Sequence, residues 1–177
     1  MWITLGIALA LLLWQISLVI SVIFGAPTVH TQRSAIIKAY ELADLKKNET
    51  VLDLGCSDAR ALIYGAKEFG AKGIGVEISP FYYLMARLKV ILSGQHGQIK
   101  IVFGNLKRHG ELIKRCDVVY LYLLPKLLDE IEQEVFSQLK KNARVVTVGF
   151  NFKNKRAKSQ ETALNHGRKT KIYLYRV

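Results

Sequence analysis

Residues 51–60, Val-Leu-Asp-Leu-Gly-Cys-Ser-Asp-Ala-Arg, decide the fold of this 177-residue chain. The segment begins with an apolar run interrupted by Asp53, and this pattern predicts a short buried strand. Gly55 and the small residues after it predict a tight turn, because glycine lets the backbone bend without a Cβ in the way. The helical pattern that follows completes a strand, turn and helix, which is the repeating unit of parallel α/β sheets.

Strand and helix patterns alternate along the rest of the chain. We expect further strands at residues 73–78, 99–103, 118–124 and 143–150, helices at residues 59–69, 81–92 and 126–139, and a helical turn at residues 111–114. Residues 161–164 and 171–176 predict a hairpin across Asn165-His166-Gly167. The predicted fold class is therefore α/β, Rossmann-like and doubly wound, with a mostly parallel sheet and a C-terminal antiparallel hairpin.

The N-terminal stretch differs from the rest of the chain. Residues 2–24 carry no charged side chain and are rich in Leu, Ile and Val, which predicts one N-terminal transmembrane helix. A cleavable signal peptide is the alternative, but the chain has no basic n-region and its apolar run exceeds the usual ~7–15 residues. All Lys and Arg residues, from Arg33 onward, follow this run, so we expect a single-pass membrane protein whose catalytic domain is cytoplasmic.

The chain is predicted to have three parts. These are a transmembrane anchor at residues 1–26, a linker and covering helix at residues 27–49, and a domain at residues 50–177. Ile36, Ile37, Tyr40 and Leu42 recur at near-helical spacing and predict the covering helix. The part after the anchor is long enough for one compact domain and too short for two.

The formal net charge is +12, and the basic residues are densest near the C-terminus. This balance favours an anionic partner, for which anionic lipid head groups are the first choice beside a membrane anchor. Nucleic acid is disfavoured because no aromatic-interleaved basic motif is present, and a solvated basic face is the remaining alternative. Cys56 and Cys116 are too few for a metal site or a disulfide framework, so we expect no metal.

The turn after the first predicted strand is the expected binding edge, because open parallel sheets bind ligands beyond the carboxyl ends of their strands. Asp53, Gly55, Ser57 and Asp58 lie there. Neither the dinucleotide fingerprint nor the P-loop pattern is met, so nucleotide phosphates are not the expected ligand. Two carboxylates suit S-adenosylmethionine (SAM), which carries a sulfonium and an ammonium group and no phosphate. Glu77, about twenty residues later, is placed to bind both ribose hydroxyls.

These segments resemble a known family. Residues 51–60 with Gly-Val-Glu-Ile-Ser-Pro at 75–80 resemble motif I and the following motif of class I, seven-strand SAM-dependent methyltransferases. More narrowly, Pro27-Thr28, residues 58–60, Glu77 with Pro80, Ala86-Arg87 and residues 120–125 resemble the small membrane-anchored protein-lysine methyltransferases that modify the adenine nucleotide translocase and the ATP synthase c-subunit, and their prokaryotic relatives. The resemblance implies SAM as the cofactor and adds Ile78, beside Glu77, to the cofactor residues.

Two residues depart from the family pattern. Ala59 replaces the usual third glycine of the loop, which is tolerable only if its φ is negative. Asn105 stands where the family often has an Asp that binds the adenine amino group, and its amide oxygen can accept the same bond. Both changes can lower cofactor affinity, so a non-catalytic, membrane-tethered adaptor with this fold is an alternative function.

The methyl acceptor is expected at the carboxyl end of the fourth strand. Tyr120 and Tyr122 share one face of that strand, and aromatic rings with backbone carbonyls can hold a lysine amine. We expect Tyr122 to orient the acceptor and Pro125 to help shape the channel, although both tyrosines can equally be packing residues. His30 is a candidate proton carrier or surface residue.

The predicted function is SAM-dependent N-methylation of lysine side chains in proteins, with membrane proteins among the expected substrates. A large acceptor is favoured because no inserted lid flanks the motifs. A lipid or quinone methyltransferase is the alternative among enzymes.

Overall fold

The computed structural model describes residues 2–23, 30–107 and 109–176. The helices are α1 (Trp2–Ile23), α2 (Arg33–Leu42), α3 (Arg60–Phe69), α4 (Pro80–Leu92), α5 (Gly110–Arg115) and α6 (Pro125–Gln138). The strands are β1 (Thr50–Leu54), β2 (Lys72–Glu77), β3 (Ile99–Phe103), β4 (Val118–Leu121), β5 (Arg144–Val148), β6 (Ser159–Asn165) and β7 (Arg168–Arg176).

The seven strands form one sheet in the order β3-β2-β1-β4-β5-β7-β6. Strands β1 to β5 are parallel, and β7 is inserted antiparallel between β5 and β6. The predicted mostly parallel sheet with a C-terminal antiparallel hairpin is therefore confirmed. The strand order reverses between β1 and β4, so the crevice for a ligand lies beyond the carboxyl ends of these two strands.

Apolar side chains cover both faces of the sheet. On one face α2 and α3 pack through buried residues that include Ile36, Tyr40 and Leu62. On the other face α6 packs through Leu128 and Ile131, which are also buried. Every residue of β4 and β5 is buried, as expected for parallel strands with helices on both sides.

The C-terminal hairpin is longer and its turn tighter than predicted. Strands β6 and β7 join at His166-Gly167, where φ is 51° and 72°. Positive φ at both central residues is the geometry of a two-residue turn that matches the twist of paired strands. Asn165 therefore pairs with Arg168 inside the ladder instead of lying in the turn.

The N-terminal prediction is wrong. Within the described ranges, no helix combines the length and the apolar content that a membrane crossing requires. This finding overturns the predicted transmembrane helix at residues 1–26 and the single-pass membrane localisation derived from it. Helix α1 contacts α4, and the lack of charge in residues 2–24, on which the prediction rested, does not indicate this contact.

Helix α2 lies in the segment predicted to cover the domain. Its first turn is tied to the hairpin, because the Ser34 hydroxyl donates to the Leu164 carbonyl at 2.7 Å. One turn later Lys38 forms an ion pair with Glu161 at 2.7 Å. Residues 24–29, the predicted end of the anchor and start of the linker, lie outside the described residues, and the proposed division at residue 49 stays a prediction.

Candidate functional site

The loop between β1 and α3 is fastened to the neighbouring strand. The backbone N–H groups of Gly55 and Cys56 both donate to the carbonyl of Val76, at 2.9 and 3.0 Å. Gly55 has a φ of +85°, which lets the chain leave the strand and turn across its end. Beneath the loop, a Cβ on Gly75 would lie 2.6 Å from the Cys56 Sγ atom, so a glycine in β2 allows this close approach.

The expectation of a negative φ at Ala59 is wrong. Ala59 has a φ of 60° and Ser57 a φ of 50°, so both adopt the left-handed conformation, which costs about 1–2 kcal/mol for a residue with a side chain. The hydrogen bond from the Ala59 N–H to the Cys56 carbonyl, 2.8 Å long, holds this conformation. Strain of this kind is typical of functional loops that the surrounding structure supports.

Three separate segments line one small, partly open cavity beside this loop. The first segment runs from Asp53 at the end of β1 through the loop into the start of α3, the second is the end of β4 with the residue after it, and the third precedes α2. The lining residues are His30, Thr31, Asp53, Gly55, Cys56, Ser57, Asp58, Arg60, Ala61, Tyr120 and Tyr122. Four predicted cofactor residues and the predicted acceptor residue Tyr122 therefore share one cavity.

Glu77 lies directly behind the cavity wall. Its buried carboxylate accepts the backbone N–H of Ser57 at 2.9 Å and that of Ser79 at 2.8 Å. Burial raises the pKa of Glu77, and these N–H donors oppose the rise. The carboxylate thus joins the loop after β1 to the loop after β2, and its predicted contact with the ribose stays a prediction.

The other predicted residues are outside the cavity lining. Ile78 and Asn105 are half-buried, and the Asn105 side-chain oxygen accepts the Lys107 N–H at 3.0 Å. Pro125 is exposed at the first position of α6, where its missing N–H is not needed. Their cofactor and channel roles stay predictions.

Asp58 is already neutralised by the protein. It is 2% exposed, lies 2.8 Å from Arg60 Nη2 and 2.5 Å from Lys89 Nζ, and has His30 Nε2 at 3.8 Å. Burial alone would raise its pKa, but the hydrogen bonds and charges of Arg60 and Lys89 outweigh burial and lower the pKa to about 2. Asp58 is therefore ionised and committed to two cations.

Asp53 is the less committed carboxylate. It is 5% exposed, and burial, followed by the charges of Glu77 and Asp58, raises its pKa well above the ordinary value. The Ser57 hydroxyl oxygen, also in the cavity wall, is buried without a hydrogen-bond partner in the described parts of the chain. A cationic ligand with hydrogen-bonding groups would supply partners to both.

A hydrogen-bond network links the hairpin to the acceptor side of the cavity. The Asn165 amide donates to the Tyr122 hydroxyl at 3.4 Å, and its oxygen accepts the Gln32 N–H at 3.0 Å. Nearby, the Tyr120 hydroxyl donates to the Thr31 hydroxyl at 3.2 Å. Sequence reasoning missed Asn165 and Thr31, because only the folded hairpin brings them to these tyrosines.

A family model described as the ANTKMT methyltransferase domain matches residues 53–159, which include the loop, Glu77 and both tyrosines. This chain belongs to that methyltransferase family. The methyltransferase is 29% identical to a protein-lysine N-methyltransferase of Saccharolobus islandicus (strain REY15A) over 84% of this chain and 92% of the relative. It is 25% identical to the ATP synthase c-subunit lysine N-methyltransferase of Xenopus laevis over 72% of this chain, and spans 54% of that longer relative.

A solved structure with the same fold also carries the cofactor product. The RNA methyltransferase of Salinibacter ruber in complex with S-adenosyl-L-homocysteine matches with a TM-score of 0.76 and 28% identity, covering 84% of this chain and 94% of that chain. The chain is thus a SAM-dependent methyltransferase, as the sequence predicts. Its buried Asp53, and the Ser57 hydroxyl for which the described residues supply no hydrogen-bond partner, fit a cationic, hydrogen-bonding cofactor.

The raised pKa of Asp53 gives a pH prediction for cofactor binding. Only the ionised carboxylate attracts the positive groups of SAM, so the affinity should increase as pH rises through the pKa of Asp53. Calorimetry from about pH 5 to about pH 8 measures this change. Asp53→Asn should bind SAM roughly tenfold more weakly at the upper end, which is about 1.4 kcal/mol, and should lose that part of the pH dependence. Asp129→Asn, on the exposed side of α6, is the control, and an Asp53→Asn variant with the wild-type pH profile would refute the assignment.

Proposed function

We propose that this methyltransferase transfers the methyl group of SAM to the ε-amine of lysine side chains in proteins. The observation that carries the proposal is the shared cavity, in which Tyr122 lies beside the loop that begins at Asp53. Further support comes from the archaeal relative, which is named a protein-lysine N-methyltransferase and is matched over 92% of its length. A cavity that joins donor and acceptor residues provides the alignment that methyl transfer needs.

The cofactor side of the cavity suits both ends of SAM. When bound, SAM supplies a methyl group activated by its positive sulfur. Asp53 and the Ser57 hydroxyl would hold the positively charged part, and Glu77 would bind the ribose hydroxyls from behind the loop. Around Asp58 two cations outnumber one anion, so Arg60 and Lys89 would bind the carboxylate of the methionine part.

The acceptor side has a group that can take a proton. A lysine ammonium must lose a proton before its nitrogen lone pair can form the new C–N bond while the C–S bond breaks. His30 lines the cavity, and burial, followed by the nearby Arg60 charge, lowers its pKa. A neutral imidazole at pH 7 can accept that proton, directly or through water. Tyr122, oriented by Asn165, would position the amine by its hydroxyl and ring.

The test of the proposed reaction compares three classes of acceptor. The purified chain is incubated with methyl-labelled SAM and, separately, with lysine-containing proteins, total RNA and lipid vesicles. We expect label in protein only, with mass spectrometry placing it on the ε-nitrogen of lysine. Label confined to RNA or to lipid would contradict the proposal, and so would protein label that is restricted to residues other than lysine.

The Tyr122–Asn165 pair can be tested by a double-mutant cycle. Tyr122→Phe and Asn165→Ala should each lower kcat/KM for a lysine peptide by about tenfold, since each removes the hydrogen bond between the two residues. Asn165→Ala also removes the bond from the Gln32 N–H, which lies outside the pair. The kcat/KM of the combined variant should be no more than about twofold below that of the less active single variant. The Kd for SAM should not change. Asn151→Ala, whose amide donates to the neighbouring Phe152 carbonyl, is the matched control. A combined loss near one hundredfold would show that the two residues act independently.

A further inference from the structure

Residues 30–34, which we call the strap, are tied to the tip of the C-terminal hairpin. The His166 Nε2 atom lies 2.5 Å from the His30 carbonyl oxygen. The Asn165 side-chain oxygen accepts the Gln32 N–H at 3.0 Å. Two adjacent hairpin residues therefore hold the backbone of the strap at two points, two residues apart.

The contact with the strap also fixes the proton on the His166 ring. A carbonyl oxygen can only accept a hydrogen bond, so Nε2 carries the hydrogen and donates it. His166 is exposed and has a φ of 51° at the turn, before Gly167. Asn and Gly are the residues that favour a turn of this geometry. The turn itself therefore does not require a histidine, whereas the bond to the strap requires a donor that reaches this far.

The middle of the strap is held from inside the domain. Thr31 is 5% exposed, and its hydroxyl accepts a hydrogen bond from the Tyr120 hydroxyl at 3.2 Å. Thr31 and His30 both line the cavity. Three consecutive residues thus each have one group fixed by a hydrogen bond: the His30 carbonyl, the Thr31 hydroxyl and the Gln32 N–H. The backbone of His30 therefore has little freedom to move.

The imidazole of His30 is then confined by its neighbours. A histidine side chain rotates about only two bonds, and here its ring meets the edge of the Tyr82 ring, with centroids 6.1 Å apart and planes at 66°. On another side the His30 Nε2 atom lies 3.8 Å from the Asp58 carboxylate. Once the backbone is fixed, these contacts restrict the direction of the ring. The bond from His166 therefore acts on the imidazole through the His30 backbone.

We propose that His166 is a positioning residue that holds His30 where its imidazole can take the proton of the target lysine. This inference rests on the proposed lysine methylation and on the role of His30 in it. The neighbouring residue, Asn165, donates to the Tyr122 hydroxyl at 3.4 Å. The tip of one hairpin thus aligns two groups on the acceptor side, the tyrosine that places the amine and the imidazole that accepts its proton.

The loss of this bond should affect the rate more than the fold. A misplacement of about 1 Å at a reacting group can cost on the order of a hundredfold in rate. An exposed hydrogen bond contributes little to stability, because water replaces the lost partner. The strap also stays joined to the hairpin by the Ser34 hydroxyl, which donates to the Leu164 carbonyl at 2.7 Å. The folded hairpin and strap therefore do not depend on His166 alone.

The test compares two amides of different reach at position 166. His166→Asn keeps a residue that favours the turn, but its shorter side chain ends before the His30 carbonyl. His166→Gln carries its amide nitrogen about as far from the backbone as the imidazole Nε2 and can restore the bond. We expect His166→Asn to lower kcat for a lysine peptide about tenfold, with KM and the Kd for SAM within about threefold of the wild type. His166→Gln should keep kcat within about threefold.

Two further variants complete the comparison. His96→Ala is the matched control, because His96 is an exposed histidine in the turn between α4 and β3, and its kcat should equal that of the wild type. His30→Gln removes the proton acceptor and should lower kcat by at least about tenfold. Adding His166→Asn to His30→Gln should cause no further loss beyond about twofold, since His166 acts through His30.

The outcomes separate this inference from the proposed function. A wild-type chain that methylates no lysine peptide would overturn both. An unchanged kcat in His30→Gln would remove His30 from the reaction and overturn the inference, while lysine methylation would stand. A lowered kcat in His30→Gln, together with a wild-type kcat in His166→Asn or an equal loss in His166→Asn and His166→Gln, would overturn the positioning role alone. A change confined to KM in His166→Asn would assign His166 to substrate binding and contradict that role as well.

Discussion

The buried Glu77 carboxylate is the contact on which the site depends most. Its two oxygens accept the N–H groups of Ser57 and Ser79, and a buried carboxylate is tolerated only when such donors compensate for lost water. The contact joins the ends of two adjacent parallel strands. It therefore supports the left-handed Ser57 and Ala59, and the loop can hold a shape that its sequence alone does not favour.

The sheet places the remaining parts of the site around this contact. Because the strand order reverses between β1 and β4, Asp53 and Tyr122 come to the same cavity from different strand ends. Two walls of the cavity then carry different kinds of side chain. One has Asp58 with its two cations, and the other has tyrosines bonded to Thr31 and Asn165. A charged cofactor and an amine acceptor need different surroundings of this kind.

Local signals in the sequence predict much of this arrangement. The apolar strand, Gly55 and the acid at the end of β2 are each indicated by residues close to them in sequence, so their positions in the fold follow from pattern and spacing. The link between Tyr122 and Asn165 joins residues 43 positions apart. It depends on the register of β7 between β5 and β6, which the hydrophobic pattern of a hairpin does not specify.

Two errors have clear physical causes. The positive φ at Ala59 is imposed by hydrogen bonds within the folded loop, and the residue type gives no sign of it. The transmembrane prediction relied on the lack of charge in residues 2–24, a pattern that does not show the contact between α1 and α4.

The most direct test of the account measures SAM affinity by calorimetry in the wild-type chain and in Glu77→Gln. The amide keeps the size of the side chain but turns one acceptor into a donor that faces a backbone N–H. We predict a loss of about 2–3 kcal/mol, or roughly 30- to 150-fold in Kd, with Glu111→Gln on the exposed side of α5 as a neutral control. A Glu77→Gln variant that is folded and binds SAM as tightly as the wild type would contradict the account.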